Sequence, residues 1–121
     1  MFLKLNHQRL EVFIFSKKFV LECFHLIKTL PSEEKFGMIS QIRRAALSVY
    51  LNIAEGASRK SETERKRFYE IARRSLIEID SALDIANEMN YLEDYDIKLL
   101  GCNMIHCFKL LSGLIKSGTS D

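Results

Sequence analysis

Apolar side chains recur along this chain at intervals of three and four, the spacing that gathers them on one side of an α-helix. Leu10, Phe13, Val20, Leu21, Phe24 and Ile27 form the first such stripe. Lys17 and Lys18 interrupt it, though their long stems can still cover apolar surface. The pattern predicts a helix over about 7–29, with Asn6 as N-cap and Pro31 just beyond its end. A second helix is expected over about 33–57, capped by Ser32, with Glu33 and Glu34 in the first turn where the helix dipole favours negative charge. Ile39, Ile42, Ala46, Val49 and Ile53 make its core face, and Gly56 and Ser58 mark its end. The third helix, about 62–90, has the clearest start. Ser61-Glu62-Thr63-Glu64 matches the capping box, in which serine and glutamate satisfy each other's orphan backbone donors. Phe68, Ile71, Ala72, Leu76, Ile79, Leu83 and Ala86 continue its stripe. A fourth helix, about 95–116, opens at Asp94 and carries Ile97, Leu100, Met104, Cys107, Leu111 and Leu114, with a loose end expected beyond Ser117.

Short connections between long helices make successive neighbours antiparallel. The fold expected is therefore all-α: an antiparallel up-down-up-down four-helix bundle, one domain over residues 1–121. Apolar residues make up 47% of the chain, enough for a core, and there is one proline and no tryptophan. The uncharged run from Leu99 to Phe108 stops at Lys109, short of a membrane span, so no membrane partner is expected. Lys4, Arg9 and Glu11 at the start do not read as a signal peptide. Cys23, Cys102 and Cys107 are odd in number and lie in apolar helical pattern. They imply a reduced, cytoplasmic protein with buried thiols.

On the wheel of helix two, Gln41, Arg44, Ser48, Asn52, Glu55 and Arg59 gather nearly opposite the core face, flanked by Leu47, Leu51 and Ala54. Medium-sized polar groups beside two leucines suit a polar interface between copies of the chain, where Arg44 and Glu55 can pair. The plain alternative is a mixed, wet helix face.

Net charge is only +2, yet it is unevenly placed. Arg43, Arg44, Arg59, Lys60, Arg65, Lys66, Arg67, Arg73 and Arg74 face four acids within residues 41–74, whereas residues 75–121 are acidic. Opposed charge of this kind favours head-to-tail contact between copies, or contact of the basic part with a polyanion. Arg43, Lys60, Arg65, Lys66, Arg67, Arg73 and Arg74 are the nucleic-acid candidates. Glu70, at helical spacing from several of them, would blunt the patch by intrahelical pairing. Contact with RNA or DNA phosphates fits such a surface, while base-specific readout has no support.

Catalytic and metal signals are weak. His7, His25 and His106 form no ligand set, and Cys102 with His106 share a helix face without companions. No Gly-rich phosphate loop and no second Glu-x-x-His is present, so no metal, cofactor or catalytic residue is assigned. Ser75, within an apolar stripe, is expected to bond its own helix or a neighbour.

Glu34-Lys-Phe-Gly37, Gln41-Ile-Arg-Arg-Ala-Ala-Leu-Ser48, Asn52-Ile-Ala-Glu-Gly56, Arg59-Lys-Ser61, Glu64, Arg67-Phe68, Ile71-Ala72, Ser75-Leu76 and Glu78, in that order, resemble a bacterial four-helix bundle family. It comprises proteins encoded in intervening sequences of large-subunit ribosomal RNA genes, sometimes labelled S-type ribosomal proteins. It is similar to the accessory variability proteins of diversity-generating retroelements. The resemblance spans about residues 6–93 and implies a homopentameric ring of four-helix subunits. In the retroelement branch it also implies binding to nucleic acid and to a reverse transcriptase. Two positions depart from it: Tyr50 stands where proline is frequent, and Arg74 where glycine is frequent. The motif residues fall on the polar stripe, which makes Gln41, Arg44, Ser48, Asn52, Glu55 and Arg59 the candidates for subunit contacts or a buried polar network.

Overall fold

The computed structural model describes residues 1–117, except the side chains of Asn6 and His7. Four α-helices form the body: α1 (Glu11–Ile27), α2 (Met38–Ala57), α3 (Glu62–Glu88) and α4 (Lys98–Ser117). Short 3-10 turns at Asn6–Arg9 and Ser32–Glu34 precede α1 and α2, and no strand occurs among the described residues. The expected loose end beyond Ser117 lies outside them.

Each helix start reflects local chemistry. Ser61 caps α3, its Oγ accepting from the Glu64 N–H at 3.3 Å, which is the serine half of the expected capping box; the Glu64 carboxylate instead faces Arg59 at 3.7 Å. The fourth start is displaced: Asp96, not Asp94, accepts the Lys98 N–H, at 3.1 Å. The first two helices begin later than the pattern predicts. Leu10 precedes α1 and Gly37 precedes α2, neither with a side-chain cap, so Ser32 opens only the 3-10 turn. Gly37, with φ −109° and ψ −103°, makes the sharp entry that separates that turn from α2.

Neighbouring helices run antiparallel, as the register of their contacts shows. Gln41 meets Glu78, Ser48 meets Ser75, and Gly56 meets Tyr69, so α3 recedes as α2 advances. Glu11 meets His106 and Glu22 meets Tyr95 across α1 and the α4 side. Arg73 lies over Phe108, and Ile85 shares a groove with Ile97, across α3 and α4. These three oppositions leave α1 antiparallel to α2, and the helices follow one another around a square whose diagonal pairs do not approach closely along their backbones. The sequence-derived topology therefore holds.

The core runs along the middle of the square: Phe19, Cys23 and Leu26 from α1, Ile42, Val49 and Ile53 from α2, Tyr69, Leu76 and Ile79 from α3, and Leu100, Cys107 and Leu111 from α4. Leu21, counted in the α1 stripe, is instead 51% exposed, because its position turns past the seam between helices. Small residues let α2 and α3 approach most closely, with Ala45, Ala46, Gly56 and Ala72 all buried between them or beneath them. At the other end, the α3–α4 connection is pinned by hydroxyls. Tyr91 donates to Glu34 and Tyr95 to Glu22, both at 3.0 Å. Asn90 turns the chain there with φ 62°.

Helix α4 is long and apolar enough to cross a membrane by length and composition alone, a feature the charge-run argument overlooked. Within the fold, its Leu100, Met104, Cys107, Leu111 and Leu114 are buried in the bundle.

Candidate nucleic-acid interface

The polar stripe of α2 divides once the neighbouring helix is in place. Gln41, Ser48 and Asn52 lie at the α2–α3 seam and are engaged within the chain. Gln41 Nε2 donates to Glu78 Oε2 at 3.1 Å, and the Ser75 hydroxyl donates to Ser48 Oγ at 2.9 Å. Asn52 Nδ2 donates to the Ser48 carbonyl at 2.8 Å. Arg44 and Glu55 stay exposed and do not pair with each other. Arg44 Nη2 donates to Gln41 Oε1 at 2.7 Å, while Glu55 holds Arg59 at 2.6 Å. Arg59 also reaches Glu64 at 3.7 Å and covers the Phe68 ring at 5.1 Å. Beside these groups Leu47 and Leu51 are 40% and 58% exposed, so the outward side of α2 is apolar at its centre.

The basic candidates also separate. Arg65 does not offer its charge outward: its Nη1 donates to the Lys60 carbonyl at 2.6 Å and the Arg59 carbonyl at 3.2 Å. It braces the α2–α3 connection by bonding two carbonyls that lie between the helices and belong to neither ladder. Lys66 pairs with Glu62 at 3.2 Å, one turn back, rather than with Glu70. Arg73 packs its guanidinium 5.3 Å above Phe108, against α4. Arg67 lies 5.9 Å over Phe68. Arg43, Lys60 and Arg74 are exposed, and with Arg44 and Arg67 they form no ion pair among the described residues.

Charge is segregated along the bundle. Arg59, Lys60 and Arg65 to Arg67 outnumber Glu55, Glu62 and Glu64 at the α2–α3 turn, while Asp84, Glu88, Glu93, Asp94 and Asp96 outnumber Lys98 around the α3–α4 connection at the opposite end.

The match to known proteins extends from the first turn to the last turns of α4: the 23S rRNA-intervening sequence protein family covers residues 8–113. The chain belongs to that family. A comparison with curated proteins finds no match. In this intervening-sequence protein the residues that carried the sequence resemblance are thus split between the α2–α3 seam and its exposed rim.

No group of three or more His, Cys, Asp and Glu that could hold a metal occurs among the described residues. His106 turns from Cys102 to Glu11, its Nε2 3.0 Å from Oε1, and its ring tilts against Phe15. Cys102 is exposed, contrary to the expectation of three buried thiols, whereas Cys23 and Cys107 are buried. Desolvation pushes both buried thiols up to about 12, which keeps them protonated and unreactive.

Sequence reasoning missed a second basic surface. Lys4, Lys17 and Lys18 line a groove of about 380 Å³ together with Met1, Leu3, Gln8, Ile14, Phe13 and Tyr50. The Tyr50 ring stacks on Phe13, centroids 4.4 Å apart. Burial raises the Tyr50 phenol, so it stays neutral. The available signal was spacing of charge: residues 12–21 and 35–54 contain no Asp or Glu.

Proposed function

We propose that this intervening-sequence protein is a non-enzymatic, self-associating accessory factor that binds RNA or DNA through backbone phosphates. The observation that supports binding is the set of exposed cations, Arg43, Lys60, Arg67 and Arg74, left without carboxylate partners among the described residues. Phosphates are the partners such groups take, and several contacts add. Leu47 and Leu51, exposed between Arg44 and Glu55, support self-association, as does the opposition of a basic and an acidic end. Two different surfaces meeting head to tail close a ring when the rotation permits, and a pentamer is the working form proposed.

Analytical ultracentrifugation paired with a titration of RNA and DNA at two salt concentrations tests both halves. The expected result is a stable multimer whose nucleic-acid affinity falls steeply with salt. A monomer at high concentration overturns the assembly. A multimer that ignores nucleic acid at low salt is a scaffold, and the binding half fails.

A further inference from the structure

The wall formed by the outward side of α1 and the edge of α2 that faces α1, marked by the Tyr50–Phe13 stack, is cationic and nearly free of carboxylate. Residues 1–54 contain Lys4, Arg9, Lys17, Lys18, Lys28, Lys35, Arg43 and Arg44, and their acids are Glu11, Glu22, Glu33 and Glu34. Three of those acids are turned to partners elsewhere. Glu11 binds His106 on α4, and Glu22 and Glu34 each accept a tyrosine hydroxyl from the α3–α4 connection, all at 3.0 Å. Glu33 sits in the turn beyond the far end of the wall. Glu55, next along α2, is held by Arg59. The positive field of the wall is therefore not cancelled by its borders.

The same wall contains the groove lined by Lys4, Lys17 and Lys18 together with Tyr50, whose ring stacks on Phe13. Lys18 is exposed, its Nζ 4.9 Å over the Phe15 ring. Arg43 lies two helical turns before Tyr50 on α2 and is exposed, so helical periodicity puts it on the same side. Cations spaced along a track with a half-buried ring between them suit a strand whose bases are free to stack. A duplex hides its base faces and offers only phosphates to such a wall.

We propose that the α1–α2 wall is the track for a single-stranded nucleic acid, with phosphates on Lys4, Lys17, Lys18 and Arg43 and one base against Tyr50. This rests on the nucleic-acid reading given above and specifies its surface and its ligand. The cations of α3 then contribute less than those of the wall.

The test is fluorescence anisotropy on the purified full chain with a labelled, unstructured RNA or DNA strand of about ten nucleotides and with the corresponding duplex. Wild type is expected to prefer the single strand. The triple variant Lys17→Ala, Lys18→Ala, Arg43→Ala is expected to lower the magnitude of the salt slope by about 2. Tyr50→Phe keeps a ring and binds within about twofold, whereas Tyr50→Leu loses about tenfold. Circular dichroism establishes that each variant is folded. Because the lysine and arginine side chains are exposed, their variants keep the test open even if Tyr50→Leu unfolds. Equal or tighter duplex binding overturns the single-strand assignment. Undiminished binding by the triple variant, with the loss appearing instead in Arg67→Ala, Arg74→Ala, overturns the wall and leaves the general binding function standing. Failure of wild type to bind any strand at low salt removes both.

Discussion

A Cβ on residue 56 would stand 2.9 Å from Tyr69 Cε1 and 3.0 Å from the Phe68 Cβ, so Gly56 is where α2 and α3 come into direct contact. Tyr69 is wholly buried and has no room to retreat. Gly56→Ala gains helix propensity, worth about 1 kcal/mol, but overpacks the seam, which costs about 1–3 kcal/mol. The net expectation is a loss of about 1 kcal/mol in urea unfolding. Gly113, where an added Cβ meets nothing within 4 Å, is the control. Gly113→Ala should stabilise by up to about 1 kcal/mol. A stabilised Gly56→Ala would mean that the two helices are not held this close.

The buried thiols make alkaline stability predictable. Unfolded, Cys23 and Cys107 lose their protons near the ordinary 9.0, and in the folded chain burial holds them to about 12. Above the unfolded value the unfolded state binds fewer protons, so stability falls as pH rises. Their contribution is fully present below 9.0 and is lost by about 12. Tyr95, raised to about 12 first by burial and then by its bond to Glu22, acts in the same direction. Urea midpoints should be flat through neutral pH and then decline, with a shallower decline in Tyr95→Phe. Thiol titration at neutral pH gives a second reading: Cys102 should react at once, and Cys23 and Cys107 only on unfolding.

Arg65 and Arg67, two residues apart, should behave differently. Arg65 supplies two hydrogen bonds to the carbonyls of Arg59 and Lys60, so Arg65→Ala leaves two carbonyls of the α2–α3 connection without that partner. A loss of about 1–2 kcal/mol is expected in thermal or urea unfolding. Arg67 is exposed and only covers the Phe68 ring, so Arg67→Ala should change stability by less than about 0.5 kcal/mol. Equal effects would show that the turn does not depend on Arg65.

The difference between those arginines marks what the sequence can and cannot convey. The Ser61 cap is legible because its donor and acceptor lie three residues apart. The start of α2 is not, since Ser32 and two glutamates imitate a helix start while Gly37 delays it. A helical wheel gave the angle of Gln41, Ser48 and Asn52 correctly but not the position of α3, whose close approach at Gly56 brings Glu78 and Ser75 to meet the stripe. Pairing over such separations is set by packing, which periodicity does not encode. The wall of α1 and α2 was readable from the absence of acids in residues 12–21 and 35–54, but totals over long blocks concealed it. Where the neighbouring acids turn, towards His106, Tyr95 and Tyr91, only the fold shows.

Leu51 offers a direct test of assembly, because a monomer and a ring assign opposite consequences to the same change. In a monomer its side chain is 58% exposed on the outward side of α2, so Leu51→Glu should alter stability by less than about 0.5 kcal/mol. In a ring packed on that side, a carboxylate enters an apolar contact beside Glu55 and must be desolvated next to a like charge. Dissociation should then follow without unfolding: sedimentation velocity would show the multimer falling to a monomer, while the helical signal in circular dichroism stays unchanged. Arg44→Glu adds a second acid to the same rim and should act in the same direction. A multimer that persists in both variants places the contact between copies elsewhere on the bundle.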